Sequence, residues 1–391
     1  MKKFIYLCGM MLLSLNMMAQ IDLDDNNWDW DHAFEDEFNT IQSWDPTTWF
    51  SIPDSVWRAY PSNWVMLGSN HQIYQYDHCS FDVANGVMKL VSEFDPGSIQ
   101  AYQYDRPPSY NYPNTYGQNE GLFYFSGEID AWTKFRYGYF EIRCKLPIHR
   151  GAFPAFWVHA SSTDSIDPYY EEIDFFEYSW SNGDPSSGLP FPNPNPTYAG
   201  DPHFITTGIY HNLHGQGSDP HTDSYARNYP KLPPGQDVSG WHTYSCEWMP
   251  DHIYWYLDGQ LVNSYHDSTH IPRHPLRLKT NYAINRYAME NFNHNGDPDW
   301  KGSDIMVIEY IHVYQLLWNC ETDEIISCQS DLDNFPYAVK RAISVTSSMG
   351  NPIVSSSNNV TFRVTESFEI TGTFEVQQGG KFTVITQDCP D

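Results

Sequence analysis

The chain has 391 residues, of which 40% are hydrophobic and 16% aromatic, and its formal net charge is −28. This hydrophobic share allows a sizeable core, and the length exceeds that of one ordinary domain. A strongly negative field repels nucleic acid and anionic lipid, and it disfavours densely sulfated or carboxylated ligands because no basic block interrupts it. The aromatic side chains either fill a β core or stay exposed as flat platforms that suit sugar rings.

The first 19 residues have the composition of a secretory signal peptide. Two lysines precede an apolar run over residues 4–15, and the small residue Ala19 stands at a plausible cleavage point. We therefore expect residues 1–19 to be removed and the mature chain to be secreted, periplasmic or held at the cell surface. The run is too short to span a bilayer and no later stretch reaches 18 apolar residues, so we expect no membrane insertion.

Short alternating runs recur along the rest of the chain, and long helical periodicity is absent. Examples lie at residues 86–91, 138–146, 252–259 and 305–314, between clusters of Pro, Gly, Asn and Asp. This pattern predicts an all-β sandwich. Asp258 and Gly259, between two apolar runs, predict a hairpin turn.

A composition shift near residues 317–334 divides the chain. We predict a large β-sandwich over 20–318, a linker over 319–334 and a small β module, rich in Ser and Thr, over 335–391. The module could attach, sort or stabilise the chain, and the residues do not choose among these roles.

Six cysteines follow the signal peptide, and export would allow them to oxidise. Cys144 and Cys246 lie inside strand-like runs and fit buried thiols at least as well as a bridge. Cys320, Cys328 and Cys389 flank the C-terminal region, where we expect one disulfide without a defined pairing.

One segment, Glu-Glu-Ile-Asp-Phe-Phe-Glu-Tyr, combines acids with strand-forming apolar residues. Alternation along a strand places Glu172 and Asp174 on one face, opposite to the core. Strict alternation would put Phe176 next on that face, but a β-bulge at Phe175/Phe176 returns Glu177 to it. The segment therefore predicts three carboxylates on one face of a bulged strand.

Two interpretations of this strand compete. Charges can protect an edge strand from pairing with other chains, which would make the acids purely structural. Alternatively, retaining glycosidases need two carboxyl groups about 5–5.5 Å apart, one as nucleophile and one as acid/base. A third carboxyl between them can hydrogen-bond the nucleophile and separate the two titrations.

The segment Glu-Ile-Asp-Phe-Phe-Glu resembles the Glu-x-Asp-x-x-Glu signature of glycoside hydrolase family 16, which includes laminarinases, lichenases, agarases and carrageenases. Further blocks stand in the family's order at residues 34–38, 137–147, 151–158, 241–248 and 308–314, and the likeness spans about residues 28–316. The resemblance implies a concanavalin-A-like β-jelly-roll sandwich. It also implies that Glu172 is the nucleophile, Asp174 its assistant and Glu177 the general acid/base.

The resemblance suggests further residues of a glycan-binding cleft. Trp157 would be a sugar platform, although core packing explains it equally well. His211 stands where the family often has a cleft histidine, but an ordinary surface-loop histidine is the competing explanation. Trp132 and Asn281 are weaker candidates for the same cleft.

Two positions depart from the family pattern. Glu171 stands where many members have Gly, and Glu309 stands where many have the Asp of a structural calcium site. Glu37 and Gly86 would complete that site, and the longer Glu309 arm puts it in doubt. Catalysis itself is expected to need no cofactor.

These observations predict a retaining endo-β-glycanase that hydrolyses β-1,3 or β-1,4 linkages of a neutral β-glucan or β-galactan. We expect a monomer whose partner is the polysaccharide. The alternatives are an endo-hydrolase of algal galactan or mucin-type glycans, a transglycosylase, and a carbohydrate-binding protein without turnover. Both glutamates are present, which favours catalysis over binding alone.

Overall fold

The computed structural model describes the chain over a defined set of ranges. These are residues 31–36, 57–59, 64–65, 72–74, 76–95, 98, 124–149, 152–160, 169–178, 206–213, 224–228, 230, 232–284, 300–335 and 338–389. Side chains are not described for 31–36, 57–59, 64–65, 73, 76, 132–133, 169–170, 206–213, 224–225, 227 or 359. Strands are numbered β1–β24 along the described chain.

Two β-sheets of mostly antiparallel strands make up the larger part of the described structure. The large sheet contains β1 (Asp31–Asp36), β3 (Trp64–Val65), β4 (Gln72–Tyr74), β5 (Cys79–Asp82), β6 (Val87–Phe94), β7 (Tyr124–Ser126), β9 (Gly138–Lys145), β14 (His242–Trp248), β15 (Ile253–Leu257), β16 (Gln260–Tyr265) and β18 (Ser303–Gln315). The site sheet contains β2 (Trp57–Ala59), β8 (Glu128–Phe135), β10 (Ala152–His159), β11 (Tyr169–Glu177), β12 (Thr206–Leu213), β13 (Ser224–Asn228) and β17 (Leu276–Ile284).

The strand order of each sheet differs from the order of the chain. The described large sheet runs β16-β15-β14-β9-β18-β6-β7-β4-β3, with β1 on β18 and β5 on β6, and the site sheet runs β13-β12-β11-β10-β17-β8-β2. The predicted all-β jelly-roll sandwich is confirmed. The predicted hairpin is confirmed as well, since Asp258 and Gly259 both adopt positive φ (50° and 73°), as a type I′ turn requires.

Alternation along each strand decides what enters the core. On β9, Phe140, Ile142 and Cys144 are buried, whereas Arg143 and Lys145 are partly exposed on the outer face of the large sheet. These two cations thus point away from the site sheet, as their shared strand face suggests. Alternate residues along the strand therefore face solvent on one side of the sheet and the hydrophobic core on the other.

Aromatic pairs from the two sheets form the core of the sandwich. Phe140 of the large sheet contacts Phe175 of the site sheet with ring centroids 4.9 Å apart. Tyr244 contacts Phe176 at 4.4 Å in the same way. Burying one such ring contributes about 1.5–3 kcal/mol, so these pairs hold β11 firmly against the large sheet.

The C-terminal module is a parallel sheet in the order β19-β20-β22-β24, formed by Leu317–Ile326, Ala338–Val345, Asn359–Ile370 and Lys381–Thr386. The short strands β21 (Ile353–Val354) and β23 (Glu375–Val376) pair beside it, and helix α1 covers Gln329–Asp333. Residues 319–334, expected to be a linker, instead belong to β19 and α1, because β19 begins two residues after β18 ends. The expected disulfide joins Cys320 to Cys389.

The other four described cysteines form no disulfide, and Cys144 and Cys246 are buried, as one of the two interpretations anticipated. None of the described helices has the length and apolar character needed to span a membrane.

The module packs against the outer face of the large sheet. Leu316 and Val339 contact a buried aromatic cluster of Tyr139, Tyr256 and Tyr314. Leu316 immediately precedes β19, so the connection between the sandwich and the module is itself buried. The small β unit predicted from composition is therefore confirmed, but it is joined to the sandwich without a gap.

Candidate active site

A β-bulge interrupts β11 where the sequence predicts one. Phe156 of β10 pairs with Phe176, but the next residue along β10, Trp157, pairs with Asp174. On the other side, β12 also passes from Asp174 to Glu177 with one residue fewer than β11. The single extra residue is therefore seen from both neighbouring strands, and the predicted bulge is confirmed.

The bulge places both phenylalanines in the core and the acids on the opposite face. Phe175 and Phe176 are buried against the large sheet. Glu172 and Asp174 lie on the face away from that core, with 7% and 2% of their surface exposed, and Glu177 is partly exposed. The face that carries these three acids is called the cleft face below.

The edge-strand interpretation of β11 is wrong. This strand pairs with β10 on one side and with β12 on the other, so its backbone has no free edge that charges would need to protect. Three acids in the interior of a sheet instead need a chemical reason, since burying like charges is unfavourable.

A tryptophan of the large sheet holds the bulge from inside the core. The indole Nε1 of Trp255 donates a hydrogen bond of 2.9 Å to the backbone carbonyl of Asp174. A bulge disrupts the ladder and leaves backbone groups in need of partners. The fully buried Trp255 supplies such a partner at the residue between the two glutamates.

The strand beside the acids, β10, presents His159, Trp157 and Ala155 in register with them, and Ala155 pairs with Glu177. His159 pairs with Glu172, and Trp157 pairs with Asp174. Side chains directly opposite each other on one sheet face have Cβ atoms about 4.5–5.5 Å apart. Trp157 also stacks on His159, with ring centroids 4.6 Å apart and planes inclined by 19°. The candidate platform thus lies on the cleft face next to the acids, with 8% of its surface exposed.

A hydrogen-bonded chain fixes the edge of this tryptophan. Trp157 Nε1 donates to Asn281 Oδ1 at 2.8 Å, and Asn281 Nδ2 donates to the hydroxyl of Tyr74 at 2.9 Å. Gln72 Nε2 donates to the same hydroxyl at 3.2 Å. Burial raises the pKa of Tyr74 well above its usual value, so the phenol stays neutral. Asn281, proposed from sequence as a cleft residue, supports Trp157.

The sequence interpretation missed a group of charged residues on the next two strands. Lys279 of β17 lies within ion-pair distance of Glu128 and Asp130 of β8, and all three are buried. Arg277, also buried, donates from Nη1 to the carbonyl of Ala131 at 3.0 Å. The signal was present as polar residues at alternate positions, 277, 279 and 281 on one strand and 128 and 130 on the other.

The remaining predicted cleft residues are less completely described. His211 lies on β12 opposite Glu171, one residue out of step with Glu172. Trp132 lies on β8, where the register with β17 shifts. The side chains of His211 and Trp132 lie outside the described part of the chain. Their roles stay predictions.

The proposed calcium site has one described acidic side chain. Glu309 Oε2 accepts a hydrogen bond from Arg143 Nε, so a guanidinium already neutralises it. Gly86 lies in the turn before β6 with φ 60°, and Glu37 lies outside the described residues. The described His, Cys, Asp and Glu side chains include no group of three or more that could hold a metal ion. The described contacts of Glu309 do not fit a calcium ligand set.

Glu171, the second departure from the family pattern, is buried at the start of the acidic segment. Its Oε2 accepts hydrogen bonds from the backbone N–H of His274 at 3.2 Å and from the His274 ring at 3.0 Å. The side chain therefore ties β11 to the segment before β17 and does not join the cleft-face acids.

Comparison with known proteins agrees with this geometry. Residues 74–302, more than half of the chain, match the family model described as glycosyl hydrolases family 16. The chain belongs to glycoside hydrolase family 16. The matched residues include β11 and the three strands that carry its cleft-face neighbours.

Several curated relatives are similar at low identity. The endo-1,3-1,4-beta-glycanase EglC of Rhizobium meliloti is 25% identical over 297 residues, which cover 73% of this chain and 51% of that protein. The kappa-carrageenase of Pseudoalteromonas carrageenovora is 26% identical over 226 residues, covering 54% and 48%. The chain thus spans about half the length of these relatives.

Solved structures are similar over the same share of the chain. The laminarinase catalytic domain of Thermotoga maritima is 20% identical with a TM-score of 0.48, and the match covers 73% of this chain and 98% of that one.

Proposed function

We propose that this protein is a retaining endo-β-glycanase that hydrolyses β-1,3 or β-1,4 linkages of a neutral polysaccharide. The observation that carries the proposal is the bulge in β11, which returns Glu177 to the face of Glu172 and Asp174. A retaining glycosidase needs two carboxyl groups about 5–5.5 Å apart, and a structural strand has no use for three acids on one face.

The three acids would divide the reaction between them. Glu172 attacks the anomeric carbon and forms a glycosyl ester while Glu177 gives its proton to the departing glycosidic oxygen. Water then attacks the same carbon, Glu177 takes a proton from it, and the Glu172 carboxylate leaves. Asp174 lies between them in the strand and assists Glu172 by hydrogen bonding. Two inversions at one carbon retain the β configuration.

The charges of the cleft face favour an uncharged substrate. Among the side chains that the structure describes, five carboxylates lie on this face: Glu172, Asp174, Glu177, Glu128 and Asp130. The described cations on this face are the buried Lys279 and Arg277 and the exposed Lys134, which pairs with Arg277. Lys279 is already paired with two of the acids. A sulfated or carboxylated sugar would therefore be repelled by the net negative charge of the cleft face.

Further parts of the proposal rest on the sequence. The signal-like residues 1–19 support export, and no cofactor is assigned to the reaction. We propose a monomeric protein that binds its polysaccharide without a partner chain. Calcium is not included, because Arg143 already neutralises Glu309.

The test is a digestion of laminarin, mixed-linkage glucan, agarose, porphyran, β-galactan and mucin glycans, with products sized and the first anomer read by NMR. We expect oligosaccharides of several lengths from an uncharged glycan, with the β-anomer formed first. Initial α-product would contradict the retaining mechanism. Faster cleavage of porphyran, with activity falling steeply as NaCl is added, would contradict the neutral substrate.

The same panel also tests the transglycosylase and carbohydrate-binding alternatives. Products longer than the substrate, formed when an acceptor sugar is added, would identify a transglycosylase. Binding of a glycan without any product would identify a carbohydrate-binding protein.

A further inference from the structure

Lys279 is the centre of a buried charge cluster on the cleft face. Its Nζ lies 3.2 Å from Glu128 Oε1 and 3.3 Å from Asp130 Oδ1. Lys279 is 6% exposed, and the two carboxylates are 1% and 0% exposed. Replacing a buried ion pair with apolar side chains is often neutral or stabilising, so stability alone does not explain this cluster.

The cluster reaches the candidate sugar platform. Lys279 Nζ lies over the ring of Trp157, 5.4 Å from its centroid, which is within the range of a cation–π contact. The edge of the same indole is held by Asn281, and His159 stacks against it. The ammonium group of Lys279, held by two carboxylates, therefore lies against one side of the Trp157 ring. Asn281 and His159 hold the same ring in place.

Strand register connects this cluster to the acids. Asp174 pairs with Trp157, Trp157 pairs with Lys279, and Lys279 pairs with Asp130. Because neighbouring strands lie about 4.8 Å apart, Lys279 lies about 10 Å from β11. A glycan that crosses the strands from the acids would pass over Trp157 before it reaches Lys279.

We propose that Lys279, held by Glu128 and Asp130, is a positioning residue that orients Trp157 for binding the glycan beside the catalytic carboxylates. The proposal rests on the proposed function and deepens it, because it assigns the β17–β8 side of the cleft face to sugar binding. Lys279 acts through Trp157 and makes no contact with the reacting atoms.

The test compares Lys279→Met and Lys279→Arg with the wild type on a series of oligosaccharides of increasing length and on a short activated aryl glycoside. Lys279→Met removes the charge and keeps an unbranched side chain. We expect kcat/KM on the longer substrates to fall about tenfold or more through a higher KM, with a smaller loss on the aryl glycoside. Lys279→Arg should recover kcat/KM to within about threefold, since a guanidinium retains the ion pairs and the cation–π contact.

Lys340→Met is the matched control. Lys340 is equally buried and ion-paired, with its Nζ 2.9 Å from Glu324 Oε2, but it lies on β20 of the C-terminal module. Its loss should leave KM unchanged at every substrate length. A uniform loss across all substrates for Lys279→Met, or the same profile as Lys340→Met, would overturn the proposal.

Glu128→Gln is a second test of the proposal that remains usable if Lys279→Met does not fold. It keeps the side-chain shape and leaves Asp130 to pair with Lys279, and we expect a rise in KM of about threefold on long substrates only. An unchanged KM would count against the proposal. A wild type that cleaves no β-glycan would refute the proposed function instead, whereas cleavage by the wild type with unchanged variants would refute only the role of Lys279.

Discussion

Among the described residues, buried charges cluster on the cleft face of the site sheet and where the C-terminal module meets the large sheet. At the module, Glu247 of β14 is surrounded by partners: His252 Nε2 at 3.3 Å, the Tyr256 hydroxyl at 3.2 Å and Arg363 of β22 at 4.0 Å. Arg363 Nη1 also donates to Gln387 Oε1 at 2.8 Å.

On the cleft face the balance differs, because five of the described acids share the surface with three described cations, Lys279, Arg277 and the exposed Lys134. Buried charges that are matched, as at the module, hold two surfaces in one register. An excess of one sign has no such structural use, and it is typical of a site that performs acid–base chemistry. The comparison separates a structural junction from a reactive surface within one fold.

The largest effect should come from the cleft-face glutamates. We expect Glu172→Gln and Glu177→Gln each to lower kcat by several orders of magnitude while thermal unfolding changes little, because each removes a reacting group and relieves repulsion. Asp174→Asn should be milder, since an amide still hydrogen-bonds. In Glu177→Ala, an aryl glycoside with a good leaving group should regain much of the rate, and added azide should replace water. Near-normal turnover of Glu172→Gln would show that the nucleophile lies elsewhere.

The matched charges of the module should behave in the opposite way. Arg363→Met leaves Glu247 with fewer partners, and breaking a buried pair costs about 3 kcal/mol or more. We expect a lower thermal unfolding midpoint with unchanged kcat at low temperature. Arg341→Met is the control, because its ion pair with Asp323 is exposed to solvent and should contribute little to stability. Equal losses of stability in both variants would contradict the interpretation of a buried junction.

The junction should also be sensitive to pH. Burial lowers the pKa of His252, but the carboxylates of Asp251 and Glu247 overcome this and raise it to about 9. Because the folded pKa exceeds the unfolded value of about 6.5, the stabilisation is complete below about pH 6.5 and is lost as the pH rises through about 9. We expect the unfolding midpoint to fall across this window and the fall to be reduced in His252→Gln. Identical pH profiles would exclude His252 as the titrating group.

The smallest effect should come from the support of the bulge. Trp255→Phe keeps most of the packing but removes the hydrogen bond to the Asp174 carbonyl, at a cost of about 1–2 kcal/mol. We expect kcat to fall a few-fold, because the bulge orients both glutamates. Trp248→Phe is the control, because Trp248 lies in the same large sheet but its indole donates to the carbonyl of Pro272, between β16 and β17, and not to β11. A kcat loss of the same size in the control would assign the effect to general core damage.

Much of the fold and the centre of the site could be predicted because both leave periodic signals. Alternation predicts strands, and its single failure between Asp174 and Glu177 predicts the bulge that the register confirms. The prediction of a linker over residues 319–334 failed because it was based on composition alone. Residues 319–334 are polar because β19 is largely exposed, and exposure along a module strand resembles the composition of a linker.

The sequence by itself determined the all-β fold class, the family and the trio of acids on one strand, because each depends on neighbours within a few residues. Only the tertiary structure decided which charges stand beside that trio. Lys279 lies 149 residues from Asp130 along the chain, and Arg363 lies 116 residues from Glu247. Hydrogen-bonded register and sheet packing bring such pairs together, and a local pattern carries no information about either.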